Sequence, residues 1–94
     1  MRSKKTLPEE YDMEKEVRNG RNNSFLILHN DDVHTFDYVI ETLMDVCEHD
    51  MVQAEQCAYI VHYKGKCDVK KGPQDHLLPM KSKLIDKGLL ATID

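Results

Sequence analysis

Six consecutive residues, Asn30-Asp31-Asp32-Val33-His34-Thr35, gather an amide, two carboxylates and an imidazole in one short segment. Paired carboxylates at the end of an apolar run could hold magnesium for phosphoryl transfer. The residue two after Asp31 is Val33, however, so the Asp-x-Asp spacing fails at its second carboxylate. A chain of 94 residues is also too short to supply the rest of such a fold. His29, His34 and Asp31 offer donors of the right type for a metal, and a small metal-dependent hydrolase using Asp31 and Asp32 stands as one reading. Against it, side chains alternate along a strand, so His29 need not share a face with the turn. The plain structural reading is that Asn and Asp are what turns and helix caps prefer. Three cysteines, Cys47, Cys57 and Cys67, form an odd set with no Cys-x-x-Cys pair. They read as small buried hydrophobes in a reducing compartment, not as a disulfide framework or a zinc site.

The elements that must position this segment follow from periodicity. Phe25-Leu26-Ile27-Leu28 is a short continuous apolar run with the length of a buried strand, ended by the turn-prone Asn30-Asp31-Asp32. Phe36, Val39, Ile40, Leu43 and Cys47 then recur at the spacing of one helix face. Thr35 is its N-cap, Asp37 lies in its first turn, and the helix is expected to stop near His49. A second helix spans about Val52 to Tyr63, entered at Met51, with Ala54, Cys57, Ala58 and Val61 inward and Gly65 closing it. Lys66 to Val69 alternates like a half-buried strand, and Lys71-Gly72-Pro73 reads as a turn. A third helix turns Leu77, Leu78, Leu84 and Ile85 inward and is closed by Gly88, before a last strand from Leu89 to Ile93. The expected class is α+β: a small three-stranded antiparallel sheet packed against three helices, in the order β-α-α-β-α-β. Residues 1–22 read as a flexible extension, since eleven of them are charged and their apolar residues keep no period. Residues 23–94 form the single core domain.

Charge narrows the partners. The extension holds six basic and five acidic residues, which leaves seven basic against twelve acidic in the remainder. Such a surface is a poor match for nucleic acid and suits a cationic partner or a ligand bearing an ammonium group. No apolar run has the ~18 residues of a membrane span, and the N-terminus lacks the apolar stretch of a signal peptide, so a cytoplasmic location is expected.

Leu26 through Asp32, then Phe36 through Val39, then Val61-His62-Tyr63-Lys64-Gly65-Lys66, resemble the ClpS adaptor family in residue type, order and spacing. The strand with its Asn-Asp-Asp turn and the Val-His-x-x-Gly helix end lie about thirty residues apart, which makes the pair far more specific than either half. The resemblance resumes at Gly88-Leu89-Leu90-Ala91-Thr92, and the segment between Val69 and Pro79 is shortened.

The resemblance implies an adaptor, not an enzyme, with no cofactor. Such adaptors hold the free α-amino group and bulky first side chain of N-degron substrates, beginning with Leu, Phe, Tyr or Trp, and deliver them to a Clp unfoldase. By similarity, Asn30 and Asp31 receive the ammonium, Asp32 shapes the turn, and His62 adds an acceptor. The hydrophobic pocket carries over to Phe36, Val39, Ala58, Val61 and Leu89. Phe36 and Ala58 stand where many members have Met, and His34 stands where Thr is frequent. The implied partner is the N-terminal domain of a ClpA- or ClpC-like ATPase, met by a monomeric adaptor. An interaction domain that docks on the ATPase without reading N-termini is the alternative.

Overall fold

The computed structural model describes residues 23–94; the extension expected over residues 1–22 lies outside the described residues. Six elements follow in order: β1 (Ser24–His29), α1 (Phe36–Val46), α2 (Met51–Lys64), β2 (Lys66–Gly72), α3 (Gln74–Asp86) and β3 (Leu90–Ile93). The sheet is antiparallel with β1 central, in the order β2-β1-β3. This is the α+β arrangement expected from the sequence.

Alternation along β1 sorts the two faces of the sheet. Leu26 and Leu28 are fully buried and join Val69 and Ala91 from the neighbouring strands in the core beneath the helices. The opposite face is dressed differently: the Lys71 ammonium lies 5.8 Å from the Phe25 ring, and His29 Nε2 is 2.8 Å from Thr92 Oγ1. One irregularity bends this frame. Leu26 pairs with Lys70 and Ile27 with Asp68, so Val69 is an extra residue, a bulge on β2. Its buried carbonyl accepts a 2.6 Å hydrogen bond from His49 Nε2.

The helices start where expected and differ in how they end. Thr35 Oγ1 accepts from Tyr38 N–H at the start of α1, and Asp50 Oδ1 accepts from Gln53 N–H at the start of α2. Gly65, with φ of 95°, closes α2, and its N–H donates to the Val61 carbonyl. α1 stops at Val46, three residues short of the expected end. Glu48 takes a left-handed φ of 61°, which breaks the helix and swings His49 inward to meet Val69. Lys70 from β2 donates to the Cys47 carbonyl there, supplying the cation that the acidic end of α1 lacks.

Two further expectations are corrected. Lys71 and Gly72 are the last residues of β2, because the bulge prolongs its pairing with β1, and only Pro73 begins the connection. On α3, Leu77 and Leu84 are fully buried, but Leu78 and Ile85 are 45% and 48% exposed. Each follows a core position by one residue, about 100° around the helix, and a three-stranded sheet covers only one narrow stripe of α3.

Candidate functional site

The turn after β1, the first turn of α1, the last turns of α2 and the entry to β3 converge on one cavity of about 240 Å³. All nine residues singled out by the sequence line it: Asn30, Asp31 and Asp32 from the turn, Phe36 and Val39 from α1, Ala58, Val61 and His62 from α2, and Leu89 before β3. The volume lies below the ~300–1,000 Å³ of pockets that hold drug-sized ligands, and its capacity is nearer one large side chain.

Burial grades the lining from floor to rim. Ala58, Val61 and Leu89 are buried, and Val39 is half-buried, giving an apolar floor. Asn30, Asp32 and His62 are exposed at the rim. Phe36 stands between these levels, 38% exposed, at the lip. Its ring meets Tyr59 edge-on at 6.0 Å and His62 edge-on at 6.1 Å, and His62 in turn meets Tyr63 edge-on at 4.7 Å. Asn30 N–H donates to the Gly65 carbonyl at 2.9 Å, so the rim residues of the turn are tied directly to the end of α2 that presents His62.

Asp31 is held more tightly than its neighbours. Its Oδ1 accepts from the N–H groups of Val33 and His34, both at 2.9 Å, and its Oδ2 lies 3.1 Å from His34 Nδ1. Burial pushes the Asp31 carboxyl up, but the His34 and Val33 backbone N–H groups and the His34 ring together outweigh it. The net result is a carboxyl below its ordinary value. A carboxylate offers about four lone-pair sites, so these contacts leave about one free for anything entering the cavity.

His34 is the member of this site that sequence reasoning did not place. It appeared there only as a departure at its position and as one candidate metal donor. Its ring stacks on Tyr38 at 4.9 Å, and Tyr38 Oη donates to the Lys87 carbonyl at 2.7 Å. Gly88, with φ of 88°, passes directly beneath: a Cβ there would lie 3.0 Å from His34 Nε2. A relay of Asp31, His34, Tyr38 and Lys87 thus fixes the turn against α1 and the end of α3. The signal was available in the Asp-x-x-His spacing, since an Asp side chain commonly accepts from the backbone two and three residues on.

The donors considered for a metal are engaged in different places. His29 reaches Thr92 on the outer face of the sheet, while His34 is engaged with Asp31. Among the described residues no three His, Cys, Asp or Glu side chains gather into a metal-binding group. Among the described residues no helix is long and apolar enough to cross a membrane.

Comparison with known proteins agrees with the fold and with the sequence motifs. The family model described as "ATP-dependent Clp protease adaptor protein ClpS" matches residues 21–92. The ATP-dependent Clp protease adapter protein ClpS of Campylobacter jejuni subsp. jejuni serotype O:23/36 (strain 81-176) is 36% identical over 66 residues, covering 70% of this chain and 69% of that protein. Its counterpart from Campylobacter jejuni strain RM1221 is 35% identical over the same length. Among solved structures, Agrobacterium tumefaciens ClpS2 bound to L-phenylalaninamide superposes with a TM-score of 0.74 at 19% identity, covering 78% of this chain and 95% of that one, a likeness of fold. With its family match over most of the chain and the β-α-α-β-α-β core built around the Asn-Asp-Asp turn, this protein belongs to the ClpS family, adaptors of the ATP-dependent Clp protease.

Proposed function

We propose that this adaptor grips the free α-amino group and bulky hydrophobic first side chain of N-degron substrates and delivers them to a Clp unfoldase. The observation that carries this reading is a single cavity with an apolar floor and a rim of acceptors, one of them a carboxylate kept charged by its own turn. In this reading the ammonium meets Asn30, the remaining lone pair of Asp31, and His62, while Asp32 adds negative charge at the rim. The first side chain descends past Phe36 onto Val39, Ala58, Val61 and Leu89. The ligand of the Agrobacterium ClpS2 structure, L-phenylalaninamide, combines a free α-amine with an aromatic side chain, the two features this cavity is suited to receive.

Selection requires both features together. An α-ammonium, with an ordinary pKa of about 7.7–8.0, is largely charged near neutral pH and donates charge-assisted hydrogen bonds. Acetylation removes the charge and leaves acceptors unpaired, at about 1–3 kcal/mol for each buried group. Burying a Leu or Phe side chain contributes roughly 1.5–3 kcal/mol. Delivery divides the chain: residues 23–94 recognise the substrate and dock on the N-terminal domain of a ClpA- or ClpC-like ATPase, and residues 1–22 are engaged by the ATPase itself.

Fluorescence anisotropy with peptides identical except at the first residue tests the reading. Peptides beginning with Leu, Phe, Tyr or Trp should bind, and their acetylated forms should lose at least tenfold in affinity, the equivalent of about 1.4 kcal/mol. Equal affinity for free and blocked termini would refute it and leave a docking domain that does not read N-termini.

A further inference from the structure

A second depression lies on the far side of Phe36. It opens between α1 and α2 with a volume of about 570 Å³, and it is broader and shallower than the first cavity. Ile40 and Ile60 form its base, Tyr59 one wall, and Phe36 is common to both hollows. Ile60 and Tyr59 are 42% and 58% exposed, an apolar surface that the described fold leaves uncovered. Among the described residues the only charged side chains lining it are Asp37 and Glu55, and both are acidic.

We infer that this groove is a subsite for the substrate segment that follows the first residue, selecting an apolar side chain next to a basic one. The inference rests on the α-amino and first-residue site proposed above. Continuity supplies the occupant. A substrate whose first side chain lies among Ala58, Val61 and Leu89 leaves the cavity at the lip, and Phe36 is both that lip and the near wall of the groove. The Phe36 and Tyr59 rings that flank the groove are 6.0 Å apart, a span that about two residues of extended chain cover at about 3.3–3.6 Å each. The residues that follow the first then lie against Ile40 and Ile60, with Asp37 and Glu55 beside them. Charge complementarity supplies the chemistry: an apolar base with a wholly acidic edge favours Leu or Met followed by Lys or Arg and disfavours Asp or Glu.

The test compares two peptides, Phe-Ser-Leu-Lys and Phe-Ser-Ser-Glu, each extended by the same neutral tail, together with L-phenylalaninamide as a probe that has no third residue. The first peptide should bind about five- to tenfold more tightly than the second, the difference shrinking in high salt as screening removes its ionic part. Ile60→Ser with Glu55→Lys should reduce that ratio to within twofold and leave L-phenylalaninamide affinity unchanged, since neither residue lines the first cavity. A ratio near one in the unaltered protein, or a ratio that survives the double substitution, overturns the subsite while the first-residue reading stands. Failure of L-phenylalaninamide to bind at all overturns both. Sedimentation showing a dimer that Ile60→Ser dissolves would assign the groove to a second copy of this chain and likewise overturn the subsite.

Discussion

Gly88→Ala should destabilise this protein more than Gly65→Ala does, although the two glycines have nearly the same φ. Their φ angles are 88° and 95°, a region where a Cβ costs roughly 1–2 kcal/mol. Replacing glycine also stiffens the unfolded chain, which returns about 0.4–1 kcal/mol. Gly65→Ala should therefore cost about 1 kcal/mol, because its added Cβ meets nothing within 4 Å. At Gly88 the same Cβ lies 3.0 and 3.1 Å from the Nε2 and Cε1 atoms of His34, and the ring must move. Moving it loosens the hydrogen bond to Asp31 and the stack on Tyr38, worth about 1 kcal/mol and about 0.5–1.5 kcal/mol when intact. Since the ring is partly exposed and can yield a few tenths of an ångström, the extra cost is about 1–2 kcal/mol, for a total of about 2–3. Urea unfolding with a constant m-value reads the difference directly. In a His34→Ala background Gly88→Ala should cost no more than Gly65→Ala. Equal costs at the two glycines in the native background, or an undiminished Gly88 cost without His34, would refute the contact as the cause.

Asp31→Asn should lower stability near neutral pH. Because the folded carboxyl sits below its ordinary 3.8, the contribution of Asp31 is fully present above that value and is lost as pH falls through the folded pKa, so urea midpoints of the two proteins should converge only in acid. Burial pushes the thiols of Cys47 and Cys67 up to about 11 and about 12 and also raises Cys57, so alkylation at pH 8 should run at least tenfold slower in the folded protein than in urea; comparable rates would contradict the packing of these side chains. Ala58→Met should fill the cavity floor and weaken Trp-initiated peptides about threefold or more relative to Leu-initiated ones, read as a ratio of anisotropy affinities; an unchanged ratio would remove Ala58 from the pocket.

Much of the site was readable because its parts are local signals. An apolar run that stops at Asn-Asp-Asp, a Thr cap before a helical period, and a His-x-x-Gly helix end each declare themselves within a few residues. What periodicity could not resolve were choices made by packing. Leu78 and Ile85 look as apolar as Leu77 and Leu84, and only the width of the sheet decides which pair it covers. The Val69 bulge and the early end of α1 are two halves of one event, the burial of His49, and neither half is visible without the other. Phe36 opens the helical period that Leu43 and Cys47 continue into the core, yet it stands at the surface between two hollows. Asp31 was legible as an acceptor, but its prior engagement by His34 depended on how tightly the turn closed.

The way the cavity is assembled sets when in folding it becomes complete. Its lining is drawn from residues 28 to 89, and β3, which carries Leu89 into place, pairs with β1 across more than sixty residues of sequence. Contacts that distant form late, after the entropy of closing the intervening loop has been met. A helical hairpin of α1 and α2 could present Phe36, Val39, Ala58 and Val61 early, but without β1 and β3 it would have neither the acceptor rim nor Leu89. A folding intermediate would thus have no complete cavity, and the same closure ties loss of the cavity to loss of the fold. An unfolding copy would lose the cavity as soon as β3 parts from β1.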